Sequence, residues 1–218
     1  MENFTGRVRG ARPAYGQGVR VPPSINNGGE QLIVNGTPPL TEMVRLGQSY
    51  YGKGVVTSIS LGNVLPTTLA CQTLWNGEAA NGKSYVLEGV GFISDVAVSA
   101  ESFFQIYVAP SILPLAAAPA TAEVGIIRPL QAGHGTYSGK AIISQNVGVT
   151  DVGWIPIGKP FNIGYALHTT IGVSGYVPVN GLFIIPPGFY IGAHICGTET
   201  SAEALFFFIW HEVQLELV

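Results

Sequence analysis

The side chains that carry most protein chemistry are thinly spread in this chain of 218 residues. Its four histidines, His134, His168, His194 and His211, stand far apart, with no His-x-His pair of the kind that opens a metal site. His168 and His194 fall on neighbouring strand candidates, so a mononuclear site completed by a carboxylate is the one metal arrangement left open, against structural histidines. Glu212 and Glu216 share a strand face but stand roughly 13 Å apart, beyond the roughly 5 to 9.5 Å that paired carboxylates need for sugar hydrolysis. Cys71 and Cys196 belong to no Cys-His motif; they read by default as buried free thiols, with a disulfide between them as the alternative. The stretch GHGTYSGKA, Gly133 to Ala141, departs from a phosphate-binding loop twice: His134 occupies the place of the first glycine, and Ala141 that of Ser or Thr. The segment after it, AIISQNV, reads as a strand where a helix is needed to face the phosphate. Around Ser174, VSGYV lacks the glycine spacing of a nucleophile elbow. Asn3-Phe-Thr5 and Asn35-Gly-Thr37 match the glycosylation pattern but are idle without a secretory route. The expectation is a protein that is not an enzyme and holds no metal or cofactor.

What remains is contact chemistry. Charged residues make up 11% of the chain, against about 25% in ordinary soluble proteins, and its mean hydropathy is positive. So little charge leaves much of the exterior neutral or apolar, which favours association. The expected partners are copies of the same chain and other subunits of an assembly. Aromatic stacking on a glycan is a second possibility, and Trp75 in LWNGEAANGK, beside a polar turn, is its best candidate.

The ten basic residues are unevenly placed. Arg7, Arg9, Arg12 and Arg20 lie in the first forty residues, whereas six basic residues face twelve acidic ones after Arg20. Residues 1–40 are rich in Gly, Pro and Asn, lack periodic hydrophobicity and read as an extended arm. Four arginines neutralise few phosphates, so direct binding of nucleic acid is not expected. An arm lying across an acidic neighbouring subunit fits better, with a solvated tail as the alternative. Met1 to Arg20 contains no apolar segment of a secretory signal, which points to folding in a cytoplasm. The longest apolar run, Ala204 to Trp210, is too short for a membrane-spanning helix.

The elements that must present these groups are strands. Residues 41–218 read as one all-β domain, with candidates at Gly54–Leu61, Leu69–Leu74, Ser84–Val98, Phe103–Val108, Val124–Ile127, Ala141–Val147, Val152–Ile157, Phe161–Thr169, Leu182–Ile185, Phe189–Ile195 and Ala204–Leu217. Turn clusters such as IPPG and CGTETS separate them. Thr41–Gly47 is the one fair helix, because Pro114 and Pro119 break the alanine-rich SILPLAAAPATAEV. Strands at this spacing predict an antiparallel β-sandwich of jelly-roll type.

Along ALFFFIWHEVQLELV the odd positions, Leu205 to Leu217, form one nearly continuous apolar face and are expected to line the core. The even face is then aromatic at Phe206, Phe208 and Trp210 and acidic beyond. Rings of that size need a cover, and a second subunit is the expected one, an internal loop being the alternative.

The arm GRVRGARPAYGQGVRVPP, the segment LWNGEAANGKSYVLEGVGF and the ending LFIIPPGFYIGAHICGTETSAEALFFFIWHEVQLELV together resemble virion structural proteins of the jelly-roll type, especially the minor capsid, cement or decoration proteins of tailed bacteriophages. The resemblance implies a virion location and a subunit that associates, often as a trimer, to reinforce or decorate a shell, with its arm reaching to neighbours. A glycan- or receptor-binding sandwich at a tail-fibre or head-fibre tip is the alternative.

Overall fold

The computed structural model describes residues 39–54, 59–60, 64–65, 72–94, 102–114, 125–145, 153–163, 174–197 and 203–215. The arm arginines Arg7, Arg9, Arg12 and Arg20 lie outside the described residues, as do Cys71 and His168. One short helix, α1 (Pro39–Arg45), precedes eleven strands: β1 (Ser49–Lys53), β2 (Ile59–Ser60), β3 (Gln72–Asn76), β4 (Ser84–Ser94), β5 (Ser102–Pro110), β6 (Ile126–Pro129), β7 (Ala141–Gln145), β8 (Ile155–Ile163), β9 (Ser174–Ile185), β10 (Tyr190–Gly197) and β11 (Glu203–Val213).

These strands form two antiparallel sheets, β6-β1-β11-β4-β9 and β7-β3-β10-β5-β8, with β2 attached to the start of β11. The pairing is nested. Setting β2, β6 and β7 aside, the first strand pairs the last and each inner pair follows in turn: β1 with β11, β3 with β10, β4 with β9 and β5 with β8. The chain therefore behaves as one long antiparallel ribbon folded over on itself.

Several boundaries differ from expectation for identifiable reasons. β1 begins at Ser49, before the segment expected to hold the first strand. β8 is a single strand where two were expected, because the chain passes through Gly158 at φ 70° with a register shift against β5. Its prolines, Pro156 and Pro160, sit on an edge strand, where a missing N–H is tolerated. β9 starts at Ser174, eight residues before the predicted Leu182. Pro178, Asn180 and Gly181 punctuate it, and Asn180 (φ 49°) and Gly181 (φ 78°) turn the backbone opposite a bulge at Glu88 of β4.

The core lies between the sheets, and it reverses the expected faces of β11. Phe206, Phe208 and Trp210 are completely buried within the chain itself, so they do not offer a surface to a second subunit. Their cross-strand neighbours share their phase: Phe92 opposite Phe206, Val90 opposite Phe208, and Tyr50 and Leu87 opposite Trp210. The second sheet closes over them with Leu74, Ile106, Val108, Ile143, Ile191 and Ile195. Where β1 ends, a side chain joins the ladder: beside the bond from Gly54 N, the Gln72 amide donates to Phe206 O at 2.8 Å and accepts from Phe206 N at 3.0 Å, tying the sheets together.

Candidate assembly interface

With the even positions of β11 inside, its odd positions face outward. Leu205, Phe207, Ile209 and Val213 are partly exposed, and the neighbouring strands continue the apolar surface through Tyr51 on β1, Ile93 on β4, and Tyr176, Leu182 and Ile184 on β9. Two glycines shape its centre. A Cβ on Gly91 would lie 2.1 Å from Phe207 Cζ, and one on Gly89 would lie 2.2 Å from Tyr176 Oη. The bare backbone of β4 thus lets both rings lie down across it. They stack with planes 4° apart and centroids at 6.1 Å, and Tyr51 extends the row at 5.4 Å from Phe207. The result is a low aromatic platform with an aliphatic margin, on which Leu182 is 71% exposed.

A row of polar groups lies at one end of this face. Ser49 Oγ is 2.9 Å from His211 Nδ1, and His211 Nε2 is 2.7 Å from Glu88 Oε1. Burial lowers the His211 pKa, while the Glu88 carboxylate pulls it the other way. The order Ser-His-Glu matches that of a nucleophile relay, but Ser49 is 1% exposed and its hydroxyl cannot meet a substrate. The row is structural. Glu88 reaches His211 because it is the bulged residue of β4, placed there without a partner on β11.

The expected split of β11 into an aromatic and an acidic half also ends differently. Glu212 follows Trp210 into the interior, where Tyr137 Oη donates to its Oε1 at 2.6 Å and Lys83 Nζ approaches Oε2 at 3.4 Å. Ala141 N in turn donates to Tyr137 Oη. Burial, with the nearby Glu212 charge contributing, pushes the pKa values of Tyr85 and Tyr137 far above the ordinary phenol range. Both therefore remain neutral, and Tyr137 keeps the proton that it donates to Glu212.

The outer face of the second sheet carries Trp75. This ring is partly buried against Ala109 and Tyr190, on which Trp154 also packs, and its Nε1 donates to Gly188 O at 3.1 Å. His194 lies on the same face opposite Tyr107, with the Trp154 ring 6.0 Å away. Burial lowers its pKa to about 4. His134 stands apart on an exposed loop. Among the described residues no three of His, Cys, Asp and Glu converge to hold a metal, and no helix is long and apolar enough to cross a membrane.

Among the described residues the sheet edges carry features that oppose further strands. β8 carries Pro156, Lys159 and Pro160, β9 carries Pro178 and its irregular turn, and β6 is four residues ending in Pro129. On the remaining side Gly125 N, just before β6, donates to Ile143 O of β7 at 2.8 Å and links the two sheets. Such devices oppose edge-to-edge pairing. No protein-family model matches the chain, and no curated protein matches it in sequence.

Proposed function

We propose that this chain is a structural subunit of a virion shell, of the cement, decoration or minor capsid kind, and that its sandwich is a jelly roll. The observation that carries the reading is the nested strand order. Numbering the eight ribbon strands from one to eight gives sheets ordered 1-8-3-6 and 2-7-4-5, and a ribbon rolled into two four-stranded sheets in this way is the double Greek key found in viral capsid proteins. Low charge, protected edges and an apolar outer sheet face support a molecule that works by association. The arm with its four arginines would reach to neighbouring acidic subunits. Electron microscopy with an antibody to this chain, applied to particles from its native source, tests the proposal. Labelling confined to particle surfaces is expected, and label only on material free of particles would overturn it.

A second reading draws on Trp75 and Trp154, partly exposed rings packed over Tyr190 and Ala109 on the outer face of the other sheet. Here the sandwich would bind a glycan or receptor by ring stacking, as at a fibre tip. Saturable binding on a glycan array that Trp75→Ala abolishes would favour it.

A further inference from the structure

The geometry points to the outer face of the β6-β1-β11-β4-β9 sheet as the seat of a second copy of this chain, packed face to face about a two-fold axis. This deepens the assembly reading by naming the surface and its occupant.

Size is the first argument. At roughly 3.3 Å along a strand and 4.8 Å between strands, the five strands present a face of roughly 700 Å², close to the roughly 800 Å² per partner of a stable protein interface. The shape fits as well. Phe207 and Tyr176 lie flat over Gly91 and Gly89, so no ring projects to hold a second sheet away. Sheet faces of this kind pack on one another with strands within about 30°, and an identical face is self-complementary when the axis is two-fold. The edge features oppose association of the same strands by extending a ladder.

Charge selects the axis. The exposed or partly exposed cations that the described residues place on this face are Lys53 of β1 and Arg128 of β6, both towards one side. An axis parallel to β11 and between the copies sets that side over the partner's β9, where Tyr176, Leu182 and Ile184 stand. An axis across the strands would stack the two cationic sides on each other, which costs free energy.

Size-exclusion chromatography with light scattering on the full chain, at micromolar concentration, is the test. The expected mass is twice the 23.0 kDa of one chain. Leu182→Glu combined with Ile184→Glu is expected to weaken the dimer at least a hundredfold and give monomer with an unchanged circular-dichroism spectrum. Ile112→Glu with Leu113→Glu, both exposed but on the loop after β5 of the other sheet, should leave the dimer intact. Should the first variant fail to fold, nitration of the wild-type protein replaces it: Tyr176 becomes protected as concentration rises, and Tyr107 on the other sheet does not. A wild-type monomer or trimer, a dimer that survives the β9 substitutions, or Tyr176 reacting equally at all concentrations would each overturn the inference. Particles labelled by a chain that is monomeric in solution would remove the two-fold contact and leave the shell reading standing. A solution dimer with no particle in its source would do the reverse.

Discussion

His194 gives the sharpest test of the packing on the second sheet. It is 4% exposed, and its pKa falls from 6.5 to about 4 because burial penalises the imidazolium. In the unfolded chain the ring takes up its proton near pH 6.5; in the folded protein it does so only near pH 4. Between those values the unfolded state binds more protons, so stability is complete above pH 6.5, declines as the pH falls towards 4, and levels off below. At about 1.4 kcal/mol per pKa unit the loss is about 3 kcal/mol, a sizeable share of the roughly 5 to 15 kcal/mol that holds a domain together. With a urea m-value of roughly 2 to 3 kcal/mol/M for a chain of this size, the unfolding midpoint should drop by roughly 1 M between pH 7 and pH 4. Carboxylates titrate in the same range and His211 shifts in the same direction, so His194→Gln is the comparison. Its midpoint should fall by roughly 1 M less than that of the wild type over the same interval. Equal falls in the two proteins would refute the argument, since the ring would then titrate as it does in water.

Further expectations follow from the core and the platform. Phe208→Ala removes a completely buried ring from between the sheets and should cost about 3 to 5 kcal/mol in denaturant unfolding. Gly91→Ala drives a methyl group into Phe207 and should destabilise by about 1 to 3 kcal/mol, with a change in the near-ultraviolet circular dichroism of the displaced rings. Gln72→Ala leaves Phe206 N without its acceptor and Phe206 O with only the longer bond from Gly54 N, and should cost about 1 to 3 kcal/mol by urea titration. Tyr137→Phe strips one hydrogen bond from the buried Glu212 carboxylate and one from Ala141 N, and a loss of about 2 to 3 kcal/mol is expected in the same titration.

How far the sequence was legible can be judged at β11. Its existence and period of two were plain from ALFFFIWHEV, but not which face turns inward. Both faces of Ala204–Trp210 are apolar, so alternation alone carried no phase there, and the polar residues that might have set it misled. Glu212 looked like a solvent marker, yet Tyr137 and Lys83, remote in sequence, receive it in the interior. The better signal was Gly89 and Gly91 in SYVLEGVGF, since bare positions on a strand call for large side chains from a neighbour to cover them. In that stretch the inward residues run Tyr85, Leu87, then Val90, Phe92, so a change of phase at Glu88 could have announced the bulge. β9 was half missed because Gly175, Pro178, Asn180 and Gly181 read as loop, and only its place at a sheet edge makes them tolerable. His194 and Trp75 were visible as residue types, but their burial depends on residues remote from them in sequence: Trp154, just before β8, lies beside His194, and Tyr190 of β10 stands opposite Trp75.

The central place of β11 also bears on how the polypeptide acquires its shape. This strand fills the middle of the first sheet, between β1 and β4, yet it follows every other strand in the order of synthesis. Until residues 203–213 leave the ribosome, β1 and β4 have no strand between them, and Tyr85, Leu87 and Phe92 have no Phe206, Phe208 or Trp210 to pack against. Until β11 is made, the strands on either side of its place keep apolar surface uncovered, a condition that invites chaperone holding.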